Sequence, residues 1–422
     1  MTNIIVSKFG GTSVKNVEKI IEDDYRRRVI VVSAPENVTD LLIQLANTKN
    51  LSIINEILSK YEQFASQQSI IDLKQTLEYQ VKNSIPNYSE NLQAIGEKFC
   101  AKMIAKKLGL EYVDPSKLFL VTDTEHPKIL PSSKDKIQRT IKGNKRVVVP
   151  GYYAYTSKKL IRTLGRGGSD MSGAYIAAAL GAECYEKFTD RQGILAADPN
   201  IVKNPKKIEE MTFRELRDLA YLGFNIFHPK AMGCLDEMRV PLHVRHAGKY
   251  PSEGTYVVHD RLSNSNQPII GVAYKPGFCS FNIEYFGMNE EVGTLRKILQ
   301  VFEKENVSVE FIPGIIDDIS VVLRKEQLNE KGRTQRIFDS LYNLLGPRSG
   351  IDLQENIGCM VVGGKGLQDN PVLTARLHLT LAQNGIDVRP LALGAKRRSI
   401  VYVVNDCDSS KAVNLIYDKY LR

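Results

Sequence analysis

Ile4-Ile5-Val6-Ser7-Lys8-Phe9-Gly10-Gly11-Thr12-Ser13 is the stretch on which the fold of this 422-residue chain turns. A run rich in β-branched residues stops at two glycines and helix-like sequence resumes at Val14, which reads as strand, tight loop, helix. The same plan recurs on either side of long helical patterns. Arg28 to Ala34 is a second apolar strand closed by Pro35, and helical periodicity fills residues 38 to 80 and 90 to 108. Arg146 to Val149 is a strand ending at Pro150-Gly151, an Ala-rich helix covers about Ser169 to Leu180, and Ala182 to Phe188 is a further strand. This alternation predicts an α/β domain over residues 1 to 260, a mainly parallel central sheet sandwiched by helices. Ligands of such sheets lie beyond the carboxyl ends of the strands, where each strand here feeds a loop of Gly, Ser, Thr or Pro.

The pattern changes after Gly248 to Pro268, a segment dense in Pro, Gly, Ser and Asn. Glu291 to Glu310 reads as loop, helix and strand, and Asp318 to Leu323 as another strand. Asn370 to Val388 repeats that order, followed by a strand at Ser399 to Val404 and a last helix. Two βαββαβ units are therefore expected at 261–350 and 351–422, with interleaving of the two allowed.

Composition narrows the function classes. Hydrophobic residues are 43% and charged residues 25%, the profile of a globular chain, and no apolar run approaches bilayer length. The opening residues run straight into a strand without a signal-peptide pattern, so a cytoplasmic location is expected. The net charge is +9, yet the basic residues are dispersed in groups such as Arg26-Arg27-Arg28 and Lys396-Arg397-Arg398, with no aromatic interleaving. That argues for no nucleic-acid partner and for a surface that attracts small anions. The six cysteines are scattered without a Cys-x-x-Cys pair, and no metal site is expected. His243, His246 and the His of His228-Pro229-Lys230 lack a third ligand at metal spacing and read as structural.

Three motifs carry chemistry. Lys8 at a strand end, followed by Gly10-Gly11 and a helix start, is an anion site in outline, although Lys8 is equally readable as a solvated strand end. It is not a Walker A loop, and no protein-kinase signature is present. In Thr163-Leu164-Gly165-Arg166-Gly167-Gly168-Ser169-Asp170, Arg166 is suited to grip a carboxylate and Asp170 to orient a lysine, beyond the helix capping that Ser169 or Asp170 also explains. Glu97 falls on the small apolar stripe of Ala94, Ala101 and Ile104, where a carboxylate needs a cation, either a ligand's ammonium or an internal Lys or Arg. Thr189 to Pro199 is a polar loop suited to a nucleotide or to plain surface duty, and Gly363-Gly364-Lys365-Gly366 reads as a turn inside the second repeat.

In this order and combination the motifs resemble the aspartokinases of the amino acid kinase superfamily, and the two repeats resemble paired ACT domains. The resemblance implies a kinase that transfers phosphate from ATP, with Mg²⁺ held mainly by the nucleotide phosphates, to the side chain of L-aspartate. It implies that Lys8, Gly10, Gly11 and Ser13 border the phosphates, that Thr39, Glu97, Tyr152, Arg166, Gly168, Ser169 and Asp170 line the aspartate site, and that Thr189 and Asp190 hold the nucleotide. Relatives carry a lysine where Asn225 stands, and Lys230 is the expected substitute; Gln192 and Leu195 also depart from the family pattern. Lys8 and Asp170 are the expected catalytic pair. The chain would serve the first step of the diaminopimelate pathway to lysine, threonine and methionine. Of the first-repeat positions expected to face an effector, Met288, Glu291, Gly293, Thr294, Leu295, Val309, Glu310, Asp317, Asp318 and Ile319, four are acidic. The matching turn of the second repeat is Ala395-Lys396-Arg397-Arg398, so lysine is the expected feedback inhibitor, ahead of threonine or meso-diaminopimelate. ACT domains imply a homodimer or dimer of dimers. A decayed amino-acid sensor, or a kinase for another carboxylate, is the competing expectation.

Overall fold

In the computed structural model the strand at Ile5–Phe9 (β1) lies inside an eight-stranded sheet. Residues 1–3, 64, 84–86, 143–144, 225–226, 228, 263–266, 369 and 394–395 fall outside the described set, as do the side chains of 390–393. Asn225, His228 and Ala395 are among them. The chain divides into two compact units. The first comprises 1–194, 207–217 and 225–261, and the second 195–206, 218–224 and 262–422.

The sheet of the first unit also contains Arg27–Val32 (β2), Glu111–Tyr112 (β3), Val147–Pro150 (β4), Cys184–Thr189 (β5), Glu210–Thr212 (β6), Leu242–His246 (β7) and Thr255–Val258 (β8), in the order β6-β8-β7-β5-β1-β2-β4-β3. Every neighbouring pair is parallel except β7 with β8. β1 is buried along its whole length, as a strand covered on both faces must be, and the polar pair Ser7 and Lys8 is buried with it. The helical pattern at 38 to 80 forms three helices rather than one long one, Val38–Thr48 (α1), Ser52–Ser59 and Gln67–Asn83. The first stops at Lys49, whose φ of 53° cannot continue a right-handed helix. Tyr88–Leu108 (α2) packs on α1, and their apolar faces join Phe9, Ile30 and Val32 in one core cluster. Gly168–Leu180 (α3) follows the Arg166 motif, and Pro229–Glu237 (α4) begins just before Lys230.

In the second unit a six-stranded sheet is built from Gly271–Glu284 (β9), Val309–Phe311 (β10), Asp318–Arg324 (β11), Gly350–Gly363 (β12), Val388–Leu393 (β13) and Ser399–Asn405 (β14), ordered β10-β11-β9-β12-β14-β13. Helices Thr294–Lys304 (α5), Arg333–Leu345 (α6), Pro371–Gln383 (α7) and Ser409–Tyr420 (α8) complete the two repeats. β9 and β12 are each 14 residues long and pair with one another along both halves, so the two repeats share their central strands. Backbone hydrogen bonds occupy the Gly363-to-Gly366 turn: Gly364 N donates to Arg398 O at 2.9 Å and Gly366 N to Pro268 O at 3.0 Å. Those groups are not presented to a phosphate.

Candidate active site

β1 and β5 are neighbours in parallel register, with Lys8 opposite Lys187 and Phe9 opposite Phe188. Successive side chains of a strand point to opposite faces, so the two lysines share one face and the two phenylalanines the other. The phenyl rings stack at 4.7 Å between centroids. Asp170, in the first turn of α3, receives both cations: Lys8 Nζ lies 2.9 Å from Oδ1 and Lys187 Nζ 2.7 Å from Oδ2. Burial opposes ionisation of Asp170, but Lys187 and then Lys8 outweigh it and bring the carboxyl down to about 2. For Lys187 burial is the largest influence, and with Lys8 nearby it keeps the amine below the ordinary lysine range despite Asp170.

Lys8 and Asp170 form one end of a cleft of about 660 Å³. Its walls include Thr39 and Asp40 of α1, Glu97 of α2, and Tyr152, Arg166, Gly168 and Ser169 around the start of α3. Gly11 lies where β1 leaves the sheet beside the loop after β2. A β-carbon there would stand 2.9 Å from Glu36 N and 3.0 Å from Ala34 O, so only glycine keeps the two loops this close. At Gly167, φ is 75°, a left-handed turn that starts α3 at the cleft wall, with Gly168 N donating to Gly165 O at 2.9 Å. Tyr152 adopts the same left-handed region, φ 75°, without being glycine, and its hydroxyl donates to Gln93 Oε1 at 2.7 Å.

Glu97 is 2% exposed. Thr39 Oγ1 donates to its Oε1 at 3.4 Å, while Oε2, among the described residues, has no hydrogen-bond partner. Burial pushes its carboxyl up to about 8. Of the two partners open to Glu97 on sequence grounds, no internal Lys or Arg forms an ion pair with it among the described residues. Ser13 Oγ, next to the glycine loop, is likewise buried and unpartnered. Arg166 is exposed at the cleft rim, free to swing onto an incoming anion.

Other expected residues lie apart. Thr189 ends β5 and Asp190 follows it, the two joined by a 2.9 Å hydrogen bond between their side chains. Lys230 lines a separate cavity of about 230 Å³ with Met171, Tyr175 and Cys234. His243 stacks on Tyr256 at 3.8 Å and bonds Glu253 O, and His246 Nδ1 accepts from Lys249 N at 3.0 Å. Among the described residues no group of three or more His, Cys, Asp or Glu is placed to hold a metal ion. In the second unit, Met288 and Ile319 belong to the hydrophobic core, and Asp317 Oδ1 accepts from Gly287 N at 2.8 Å and Met288 N at 3.3 Å, tying it to the loop after β9. Glu291 and Asp318 are exposed, Thr294 is buried at the start of α5 after Gly293, Glu310 is half-buried with its carboxyl raised by that burial, and Leu295 and Val309 line a groove of about 800 Å³.

Lys187 was not legible as a site residue from its own surroundings. The signal was the repeated strand ending, Lys8-Phe9 before one loop and Lys187-Phe188 before another.

Fold and cleft together define a small-molecule kinase of the α/β type carrying a two-repeat regulatory half. The amino acid kinase family model matches residues 3–246 and an ACT-domain model matches residues 360–420. Aspartokinase 3 of Bacillus subtilis is 30% identical over 452 residues, covering 98% of each chain. The crystal structure of Clostridium acetobutylicum aspartate kinase, described as an allosteric enzyme, superposes with a TM-score of 0.86 at 27% identity, over 99% of this chain and 100% of that one. Escherichia coli aspartokinase III, solved with aspartate and ADP, shares the fold at 21% identity and a TM-score of 0.80, over 99% of this chain and 100% of that one. The chain belongs to the amino acid kinase family and, within it, to the aspartokinases. No helix among the described residues is long and apolar enough to cross a membrane.

Proposed function

We propose that the chain transfers the γ-phosphoryl group of ATP to the β-carboxylate of L-aspartate, giving ADP and 4-phospho-L-aspartate. The observation that carries this is the convergence of Lys8, Asp170, Glu97 and Arg166 on one cleft. A carboxylate is already ionised at neutral pH, so the acceptor needs no general base and catalysis reduces to positioning and charge stabilisation. Arg166 grips the α-carboxylate and Glu97 the α-ammonium, with Thr39, Tyr152, Gly168 and Ser169 shaping the pocket. Lys8, held by Asp170, meets the transferring phosphoryl group, and Gly10, Gly11 and Ser13 border the phosphates. Thr189, Asp190 and Lys230 are assigned to the remainder of the nucleotide. Mg²⁺, carried on the nucleotide phosphates, would neutralise part of their charge.

We further assign residues 1–260 to catalysis and the two repeats to feedback control, with lysine bound at the first repeat. Exposed Glu291 and Asp318 support a cationic effector there, as the Lys396-Arg397-Arg398 turn argues against one at the second. The setting is a cytoplasmic homodimer or dimer of dimers at the first step of the diaminopimelate pathway. A coupled ADP-release assay with aspartate tests the reading. Lys8→Ala is expected to lower kcat by about 100-fold or more, and Arg166→Ala to raise the aspartate KM. Wild-type ADP release with another carboxylate but none with aspartate would sink it; no release with any would mark a sensor. Calorimetric titration with lysine and threonine tests the effector, and tight binding of threonine alone overturns lysine.

A further inference from the structure

We infer that Lys187 is a second catalytic lysine, meeting the transferring phosphoryl group from the strand beside Lys8. The inference rests on the phosphoryl-transfer reading above and adds a residue to it. Adjacent parallel strands stand about 4.8 Å apart, so two in-register lysines on one face present their ammonium groups side by side. Both reach the same carboxylate, at 2.9 and 2.7 Å. Asp170 therefore holds two cations with one negative charge, leaving a net positive charge at the cleft end where β1 gives way to Gly10 and Gly11. The neighbouring loop is tied in as well: Gly10 N donates to Phe188 O at 3.4 Å, next to Lys187 in the chain.

Lys187 is a costly choice for a purely structural partner. Its side chain is only 12% exposed, and a single lysine already neutralises Asp170. Burying a second ammonium against the first adds like-charge repulsion that a neutral residue would avoid. An incoming polyphosphate resolves that excess. In the transfer step an oxygen of the acceptor carboxylate forms the new P–O bond as the bond from the γ-phosphorus to the β,γ-bridging oxygen breaks. The bonding pair leaves on ADP, and no proton moves. Negative charge shifts toward the bridging oxygen and the equatorial oxygens during this step, and two fixed ammonium groups stabilise it better than one. The Phe227 ring centroid lies 5.3 Å from Lys187 Nζ, close enough to favour the charged amine.

The test compares wild type with Lys187→Met, Lys187→Ala and Lys187→Arg in the aspartate-dependent ADP-release assay, alongside thermal unfolding. Lys187→Met is expected to lower kcat by about 100-fold with little change in the aspartate KM. Methylammonium in the assay should return part of the lost kcat to Lys187→Ala, and Lys187→Arg should retain more activity than Lys187→Met. Wild-type-like kcat in Lys187→Met overturns the inference. So does a loss that follows a collapsed unfolding midpoint and that neither methylammonium nor arginine recovers. A wild-type chain inactive on aspartate sinks the parent reading and this one with it, whereas an active wild type with an unimpaired Lys187→Met sinks this one alone.

Discussion

Glu97 is the residue whose isolation says most about the ligand. Its apolar stripe on α2 is readable from three- and four-residue spacing, but whether a neighbouring Lys or Arg answers it is not. The carboxyl is buried, Oε2 has no hydrogen-bond partner among the described residues, and burial raises its pKa to about 8. Below that pH the free protein holds Glu97 neutral, and binding an ammonium requires the anion. On the aspartate reading, kcat/KM for aspartate should therefore climb roughly tenfold per unit as pH rises toward about 8 and then level off. Glu97→Gln should flatten that profile while raising the aspartate KM, as steady-state kinetics from pH 6 to 9 would measure. Stability runs the other way. A carboxyl whose folded pKa lies above its ordinary value of 4.5 weakens the fold increasingly between pH 4.5 and 8. Glu97→Gln should thus melt higher than wild type at pH 8 and close to wild type at pH 4. A profile with no inflection between pH 6 and 9 would contradict the buried, unpaired state.

Among elements, β5 couples the cleft to the interior of the first unit. On the face opposite Lys187, Glu186 is 3% exposed and receives Arg27 Nε at 2.7 Å, Arg245 Nη1 at 2.8 Å and Ser7 Oγ at 2.9 Å. Burial is the largest single influence on its carboxyl, yet Arg27 and then Arg245 keep it below the usual glutamate range. Arg27 and Arg245 also sit over the Phe188 and Tyr250 rings. Removing the shared anion strands two guanidinium groups, so Glu186→Ala should destabilise the first unit by about 3–5 kcal/mol, measured by denaturant unfolding. A change within about 0.5 kcal/mol would show that the triad carries little of the strand's stability. The strand is legible in sequence as Ala182 to Phe188. Its two-sided charge is not, because a Lys and a Glu in succession look like a solvated strand until both faces are covered.

At the scale of the molecule, the segments 195–206 and 218–224 belong to the second unit although the sequence sets them inside the kinase half. Asn414 Nδ2 of α8 donates to Ile201 O at 3.2 Å, Lys206 N donates to Tyr417 OH at 2.8 Å, and Leu219, Leu222 and Phe224 are buried. A chain truncated after Arg261 strips these apolar side chains of their cover and is expected to aggregate, as size-exclusion chromatography would show. A monodisperse truncated chain with cooperative melting would contradict that. By itself the sequence determined the α/β alternation, the repeated regulatory units, and the chemical character of Lys8-Gly10-Gly11 and of Arg166-to-Asp170. Those features are local, and a period of two or of 3.6 residues reports which face an element buries. Only the tertiary structure decided that Lys187 stands opposite Lys8, that Glu97 forms no ion pair among the described residues, and that Asp317 is engaged by the loop at Gly287 and Met288. Each depends on the register and packing of segments far apart in the chain, which the solvation of two faces at once sets and no single element's pattern encodes.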